Sequence, residues 1–331
     1  MIVRTKAYSR AGLAGNPSDG YFGKTLSVTL RDFYAEVTMY ETPDIEIIPN
    51  ERDHSCFANL QHLVKDVNRH GYYGGIRLIK AAAKKFYDYC MAKGIVLPER
   101  NFTVRYRSNI PVQVGLAGSS AIVTATIRAL MTFYGVAIPK PQIPNLILSV
   151  ETDELKITAG LQDRVTQVYE GLVYMDFDRK LMETQGYGYY ENLDPNLLPP
   201  IYIAYMEELS EFSGIAHGQL RGRFDAGDPA VVEAMKYFAE RAEMARECLL
   251  ARQPEKLGKI MNENFDKRKE IFPISRMNLE MINVARSVGA SATFPGSGGA
   301  IVGTYEDEKM FERLKTKLGE IGAQVIKPTI Y

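Results

Sequence analysis

The stretch from Ser108 to Gly135, SNIPVQVGLAGSSAIVTATIRALMTFYG, constrains this chain more than any other. An apolar run stops at Gly115, small residues follow, and an apolar-periodic helix begins at once near Ser119. Strand, small-residue loop and helix in that order leave backbone amides unpaired at the positive end of a helix dipole. That is an anion site needing no side-chain charge. The glycines permit positive φ and close approach, and the hydroxyls of Ser119 and Ser120 can cap the helix or reach a metal. A plain turn followed by an N-cap fits the same letters, so the loop alone leaves both readings open.

Composition removes some function classes. The chain has 331 residues, enough for two domains, with 46% hydrophobic and 24% charged residues, as in ordinary soluble proteins. Lys+Arg and Asp+Glu are both 40, which gives no global attraction to nucleic acid or to an anionic membrane. No apolar run is long enough for a membrane span, and the N-terminus lacks the apolar core of a signal peptide. Cys56, Cys90 and Cys248 are odd in number, far apart and without a CxxC. They read as buried thiols of a cytoplasmic protein, with neither zinc nor a disulfide framework implied. His54, His62 and His70 lie eight residues apart, about 12 Å along a helix, too far to share a metal. His217 falls in a segment that could border an acceptor.

Along the chain, Ile2–Tyr8, Leu26–Met39 and Ile45–Ile48 read as strands, and NFTVRYRSNI alternates as another. FANLQHLVKDVNRHG and GGIRLIKAAAKKFYDYCMAKG have helical spacing, the second stopping at Lys-Gly. A helix is expected from Pro141 to about Lys156, then the strand GLVYMDF. The polar tract DRKLMETQGYGYYENLDPNLLPP reads as an interdomain crossing, and its Tyr187, Tyr189 and Tyr190 suit either a binding loop or packing. Beyond it come the strand IYIAYM, a helical block from about Ala230 to Arg286, ASATF, PGSGG, the strand AIVGTY and a last helix. The pattern is two α+β domains, residues 1–185 and 186–331.

Two further loops invite chemistry. RAGLAGNPSDGYFGKTLS ends in Gly-Lys-Thr, but Ser18 stands where a Walker A motif needs its first glycine, and a strand follows rather than a helix. TFPGSGGAIVG lies between short strands, where its glycines also fit a tight hairpin. Between the loops, Glu151 and Glu154 are three apart, a spacing that shares one helix face. Asp163 follows Gly160, with Arg164 beside it. Phosphoryl transfer needs carboxylates for Mg²⁺ and for the acceptor hydroxyl, although helix solvation and capping also explain these acids.

Together these pieces resemble the GHMP kinases. That family's second motif, Pro-x-x-x-Gly-Leu-Gly-Ser-Ser-Ala, is similar to Pro111–Ala121, PVQVGLAGSSA, with one extra residue in the glycine loop. Its third motif resembles PGSGGAIVG, and its first resembles the set Arg10, Gly15, Asn16 and Asp19. The wording of GNPSDGYFGKT, GLAGSSAIV, AGLQDRVTQVYEGLVYMDF and MNENFDKR is most similar to the glucuronokinases, the sugar-acid 1-kinases; Asn262–Arg268 also resembles bacterial heptose kinases.

The resemblance implies a two-domain α+β fold with a left-handed βαβ unit and an active site in the cleft between domains. It implies ATP and Mg²⁺, with nucleotide phosphates at Pro111, Gly115, Leu116, Ala117, Gly118, Ser119, Ser120 and Ala121. It implies Mg²⁺ on Ser120 and Glu151, with Glu154 as the rival, since Glu151 precedes Asp163 by the family's spacing. Asp163 is implied as the catalytic acid–base group and Arg10 as its assistant. Asn16, Asp19, Gly296, Ser297, Gly298 and Gly299 are implied around the sugar. The reaction implied is transfer of the γ-phosphoryl of MgATP to the anomeric hydroxyl of a uronic acid, D-glucuronate foremost. Alternatives are a heptose-phosphate-type acceptor or a non-catalytic sugar and nucleotide sensor. Partners are then a sugar and a nucleotide, with no nucleic acid or membrane, and either a monomer or a homodimer. A uronate carboxylate asks for a bidentate arginine, and Arg105, Arg107, Arg164, Arg221 and Arg223 are eligible.

Overall fold

A computed structural model of the chain describes residues 1–50, 53, 74–207 and 214–330, for 214–219 the backbone alone. Strand β1 (Ile2–Ala14) and strand β2 (Lys24–Thr42) run antiparallel from Ile2 opposite Tyr40 to Ala14 opposite Leu26. Both outrun the predicted spans. Their inward residues Ala7, Ala11, Leu13, Leu26, Val28 and Leu30 are small or branched and pack without a break up to the turn. The two strands therefore deliver the connecting residues 15–23, with Asp19, to one end of the sheet, close to Arg10 on β1.

Strand β2 is the hub. It pairs with β1, with β4 (Asn101–Ser108) and, over its first residues, with β5 (Leu172–Asp176). Strand β3 (Glu46–Ile48) lies parallel to β4, with helix α1 (Gly75–Ala92) in the connection, and β6 (Tyr189–Leu193) runs antiparallel to β5. Helix α2 (Gly118–Tyr134) packs on β1 and β2 and is buried on nearly every side, which explains its almost unbroken apolar run. Each fully buried Ile, Val or Phe on it contributes about 1.5–3 kcal/mol. Thr5 Oγ1 donates to the Ala125 carbonyl at 2.7 Å, fixing α2 along β1.

The helix expected from Pro141 divides into α3 (Ile143–Ser149) and a π-turn, Val150–Glu154. Helices α4 (Gln162–Tyr169) and α5 (Arg179–Gln185) follow. The tract read as a crossing thus contains a helix and a strand. Tyr190 on β6 packs edge-on against Tyr169 and tilted against Phe177, so that ring is packing. Because β6 joins the first sheet, the change of sheet falls between Leu193 and Ile201 rather than at residue 186.

The second sheet has the order β8-β7-β9, with β7 (Ile201–Tyr205), β8 (Ala300–Thr304) and β9 (Gln324–Ile326). ASATF contributes only a bridge from Thr293 to Val302. Helices α6 (Gly214–Asp225), α7 (Pro229–Leu250), α8 (Leu257–Ile271), α9 (Arg276–Ser287) and α10 (Glu308–Glu320) complete the described chain. The long block from Ala230 to Arg286 is therefore three helices. Pro254 and Pro273 interrupt it, since proline lacks the amide proton and disfavours helix before it. Ile201, Ile203, Ala300 and Val302 share one core with β1 and β2, so the two sheets pack as a single body. Cys90 and Cys248 are buried free thiols; Cys56, His54, His62 and His70 lie outside the described residues, as does the side chain of His217. Among the described residues no helix is long and apolar enough to cross a membrane.

Candidate active site

Gln113, Gly115 and Ala117 have positive φ (56°, 73° and 61°) at alternate positions of the loop before α2. Such alternation turns successive amides to one side as an anion-binding nest, here continuous with a helix N-terminus that no side chain caps. Val114 and Leu116 point into the core, while Gly115, Ala117, Gly118 and Ser119 stay half-buried along the nest. Pro111, Leu116 and Ala121 are buried and support the loop from within. Ala117 takes the left-handed conformation, which costs a Cβ about 1–2 kcal/mol.

The two serines separate. Ser120 is fully buried and its Oγ donates to the Ala117 carbonyl at 3.1 Å, whereas Ser119 Oγ donates to Glu151 Oε1 at 2.8 Å. The roughly 100° between successive helical residues sends one hydroxyl into the core and the other toward the carboxylate. Glu151 meets Ser119 rather than Ser120. Glu154 faces away, paired with Lys84 at 3.0 Å on the surface. In the π-turn, Leu155 N bonds back to Val150 O, and this wider turn breaks the shared face that three-residue spacing predicts.

Glu151, 1% exposed, is held by Arg164, whose Nε donates to Oε2 at 3.0 Å and whose Nη2 reaches the same oxygen. Burial alone would lower the Arg164 pKa, but Glu151, Asp163 and Asp19 outweigh it and raise it. Asp163, at the start of α4, receives Arg10 Nε and Nη2 on Oδ1, both at 2.6 Å, and Arg164 Nη1 lies 3.3 Å from Oδ2. Arg10 Nη1 also donates to the carbonyls of Gly115 (2.9 Å) and Pro295 (2.7 Å). One buried guanidinium thus ties the aspartate to two of the three loops.

Those loops touch directly. A Cβ on Gly296 would lie 2.2 Å from the Gly115 carbonyl, so only glycine fits there. Ser297 remains half-buried beside it, while Gly298 and Gly299 pack against Asn278 and Val114 and shape the loop from behind. Asn16 Nδ2 donates to the Gly296 carbonyl at 3.3 Å. Asp19 Oδ2 accepts from Gln162 N at 3.0 Å, in space that a Cβ on Gly160 would fill. Burial pushes Asp19 up to about 6, against the Gln162 hydrogen bond, with the Asp163 charge adding to the rise and Arg10 and Arg164 opposing it.

Four residues to which the motifs give no role join the site, although Gln162, Asn264 and Arg268 lie in stretches that carry the resemblance. Gln162 Nε2 donates to Ser27 Oγ at 2.7 Å and fixes the start of α4. Asn264 on α8 accepts from Gly15 N (2.8 Å) and donates to Asn16 O (3.2 Å), clamping the first loop from the other half of the molecule. Asn278 holds Gly299. Arg268, one turn beyond Asn264, is 3% exposed and stacks on Phe294 (5.3 Å) and Phe272 (4.9 Å). The arginines eligible for a uronate are engaged or remote. Arg164 is committed to Glu151, and Arg105 and Arg107 are exposed on β4, the latter paired with Glu36. Arg221 and Arg223 form surface pairs with Asp225 and Asp228.

Residues 77–171 match the model of the GHMP kinases N terminal domain. Glucuronokinase 1 of Arabidopsis thaliana is 44% identical over 306 residues, covering 91% of this chain and 84% of that protein. Probable glucuronokinase 2 of the same plant is 45% identical over 308 residues, with the same coverage. The crystal structure of Methanococcus jannaschii mevalonate kinase superposes with a TM-score of 0.73 over 100% of this chain and 98% of that one, at 20% identity.

Proposed function

Because this chain belongs to the GHMP kinase family, in its glucuronokinase branch, we propose that it transfers the γ-phosphoryl of ATP to the anomeric hydroxyl of D-glucuronate, giving glucuronate 1-phosphate and ADP. The observation that carries the reading is the position of Asp163. It is pinned by Arg10 to the carbonyl of Gly115, inside the nest where a triphosphate would lie, with Asp19 on its other side.

The roles follow from the contacts. The amides of Gly115, Ala117, Gly118 and Ser119 hold the phosphates, with the α2 dipole adding to their attraction. Asp19 and Asn16 receive sugar hydroxyls, and Ser297 closes the site over them. Asp163 orients the anomeric hydroxyl and takes its proton as the new O–P bond forms and the bond from Pγ to the β-bridging oxygen breaks. The transition state is loose, so alignment and neutral balance matter more than basicity. Arg10 keeps the aspartate aligned through that step.

A magnesium ion fits the donor set. Ser119 Oγ and Glu151 Oε1 are adjacent hard oxygens, and Mg²⁺ is commonly held by one or two carboxylates together with substrate phosphates and waters. Ser119 and Glu151 would hold it, whereas the Ser120 hydroxyl is fully buried against the Ala117 carbonyl and would reach it only by turning out of the core. Bound there, the ion supplies charge neutralisation on the phosphates.

Steady-state assays with ATP and D-glucuronate, D-glucose and heptose phosphates, with the product identified by phosphorus NMR, test the reading. D-Glucuronate is expected to be the preferred acceptor. Asp163→Asn should lower kcat by about 10²–10⁴. A loss below about 10-fold removes Asp163 from the chemistry.

A further inference from the structure

Among the described residues around the cleft, two charged side chains stand outside the pattern of mutual satisfaction, and Arg268 is the cation of the two. Its Nη1 is buried without a hydrogen-bond partner, and among the described residues the guanidinium enters no ion pair. Two aromatic faces, Phe272 and Phe294, hold its plane. Cation–π contact compensates part of the desolvation but leaves the N–H groups at its edge without an acceptor. Phe294 directly precedes Pro295, whose carbonyl takes Arg10, and Asn264 on the same face of α8 clamps Gly15 and Asn16. The guanidinium therefore stands behind the acceptor side of the cleft. The phosphates have their own donors at α2.

Asp19 is the counterpart. Among the described residues it is a carboxylate with one hydrogen bond and no ion pair, and it does not neutralise Arg268. A ligand that satisfies both must offer hydroxyls to the acid and an anion to the base. A neutral hexose answers only the first demand; a uronic acid and a sugar phosphate answer both. Resting on the glucuronate reading above, we infer that Arg268 receives the carboxylate of the acceptor and is the residue that makes the site select a sugar acid over a neutral sugar. Burial and repulsion from Arg10 lower its pKa to about 10, so it is still a cation at neutral pH.

The test compares wild type with Arg268→Met and Arg268→Lys. Wild type should prefer D-glucuronate over D-glucose in kcat/KM. In Arg268→Met that preference should fall by at least about 30-fold, carried by KM, since truncating one partner of a buried charge pair is costly. The rise in Tm that glucuronate gives wild type should disappear with it. The ligand-free variant should melt no lower than wild type, because it loses an unpaired buried charge; a purely structural arginine predicts the opposite. Arg268→Lys keeps the charge without the planar fork and should fall between the two. A wild type that prefers glucuronate, with the ratio unchanged in Arg268→Met, overturns the inference and leaves the acceptor reading standing. A wild type indifferent to the carboxylate removes the reading and the inference together. If Arg268→Met melts well below wild type, the arginine is structural and the ratio is read on Arg268→Lys, where no change again overturns the inference.

Discussion

Arg164 and Arg268 are both almost fully buried, yet one sits in a network of carboxylates and the other has none. The same burial acts on both; the Arg164 pKa rises and the Arg268 pKa falls to about 10. The first sheet's side of the cleft, with Arg10, Asp163, Arg164 and Glu151, is closed on itself before any substrate arrives. The wall contributed by α8 and the loop after Phe294 is not. Transition-state electrostatics benefit from groups already fixed, whereas selection among acceptors requires a group that only the right acceptor completes.

The contrast can be broken most sharply by one substitution made at two places. Arg164→Met should destabilise the protein by about 3–5 kcal/mol in urea unfolding, because it leaves Glu151 buried with only Ser119. Arg268→Met should show no such loss. Equal losses would erase the distinction between the two sides.

A smaller effect concerns Asp19. Its folded pKa, near 6, stands above the usual 3.8, so the native state prefers the protonated acid. The sign is that of a penalty fully present above pH 6 and relieved as pH falls toward 4. Asp19→Asn should therefore raise ligand-free stability by about 1–3 kcal/mol at pH 8, with the gain vanishing near pH 4. It should also weaken sugar binding. A pH-independent difference would place Asp19 outside the buried site.

The smallest effect lies in the phosphate nest. Ala117→Gly should add about 0.5–1 kcal/mol of stability by relieving a left-handed alanine, measured by thermal unfolding. A loss of stability would mean that the loop does not hold that conformation.

Which parts of this site could be read from the chain follows from distance along it. The nest, Asp163 and Arg10 sit in local patterns, small residues before a helix or an acid after a glycine, and those patterns survive folding. Glu151 and Glu154 were inseparable by spacing because a π-turn, invisible in the letters, rotates one inward and one outward. Nothing local says which face of α2 meets Glu151, so the letters do not separate Ser119 from Ser120; in the fold it is Ser119. Asn264 lies some 250 residues from the loop it clamps, so MNENFDKR resembles known kinases without showing which of its side chains face the cleft. Arg268 is buried between two phenylalanines, a setting that sequence does not distinguish from that of a core arginine. That β6 belongs to the first sheet is not legible in the letters, because the strand is short and polar and its membership rests on pairing with β5.

Parallel kinetics of Asp163→Asn and Arg268→Met with D-glucuronate test the division of labour across the cleft most directly. The prediction is a collapse of kcat in the first with KM near wild type, and a rise of KM in the second. If both variants lose the same parameter to the same degree, the two sides of the cleft do not have separate tasks.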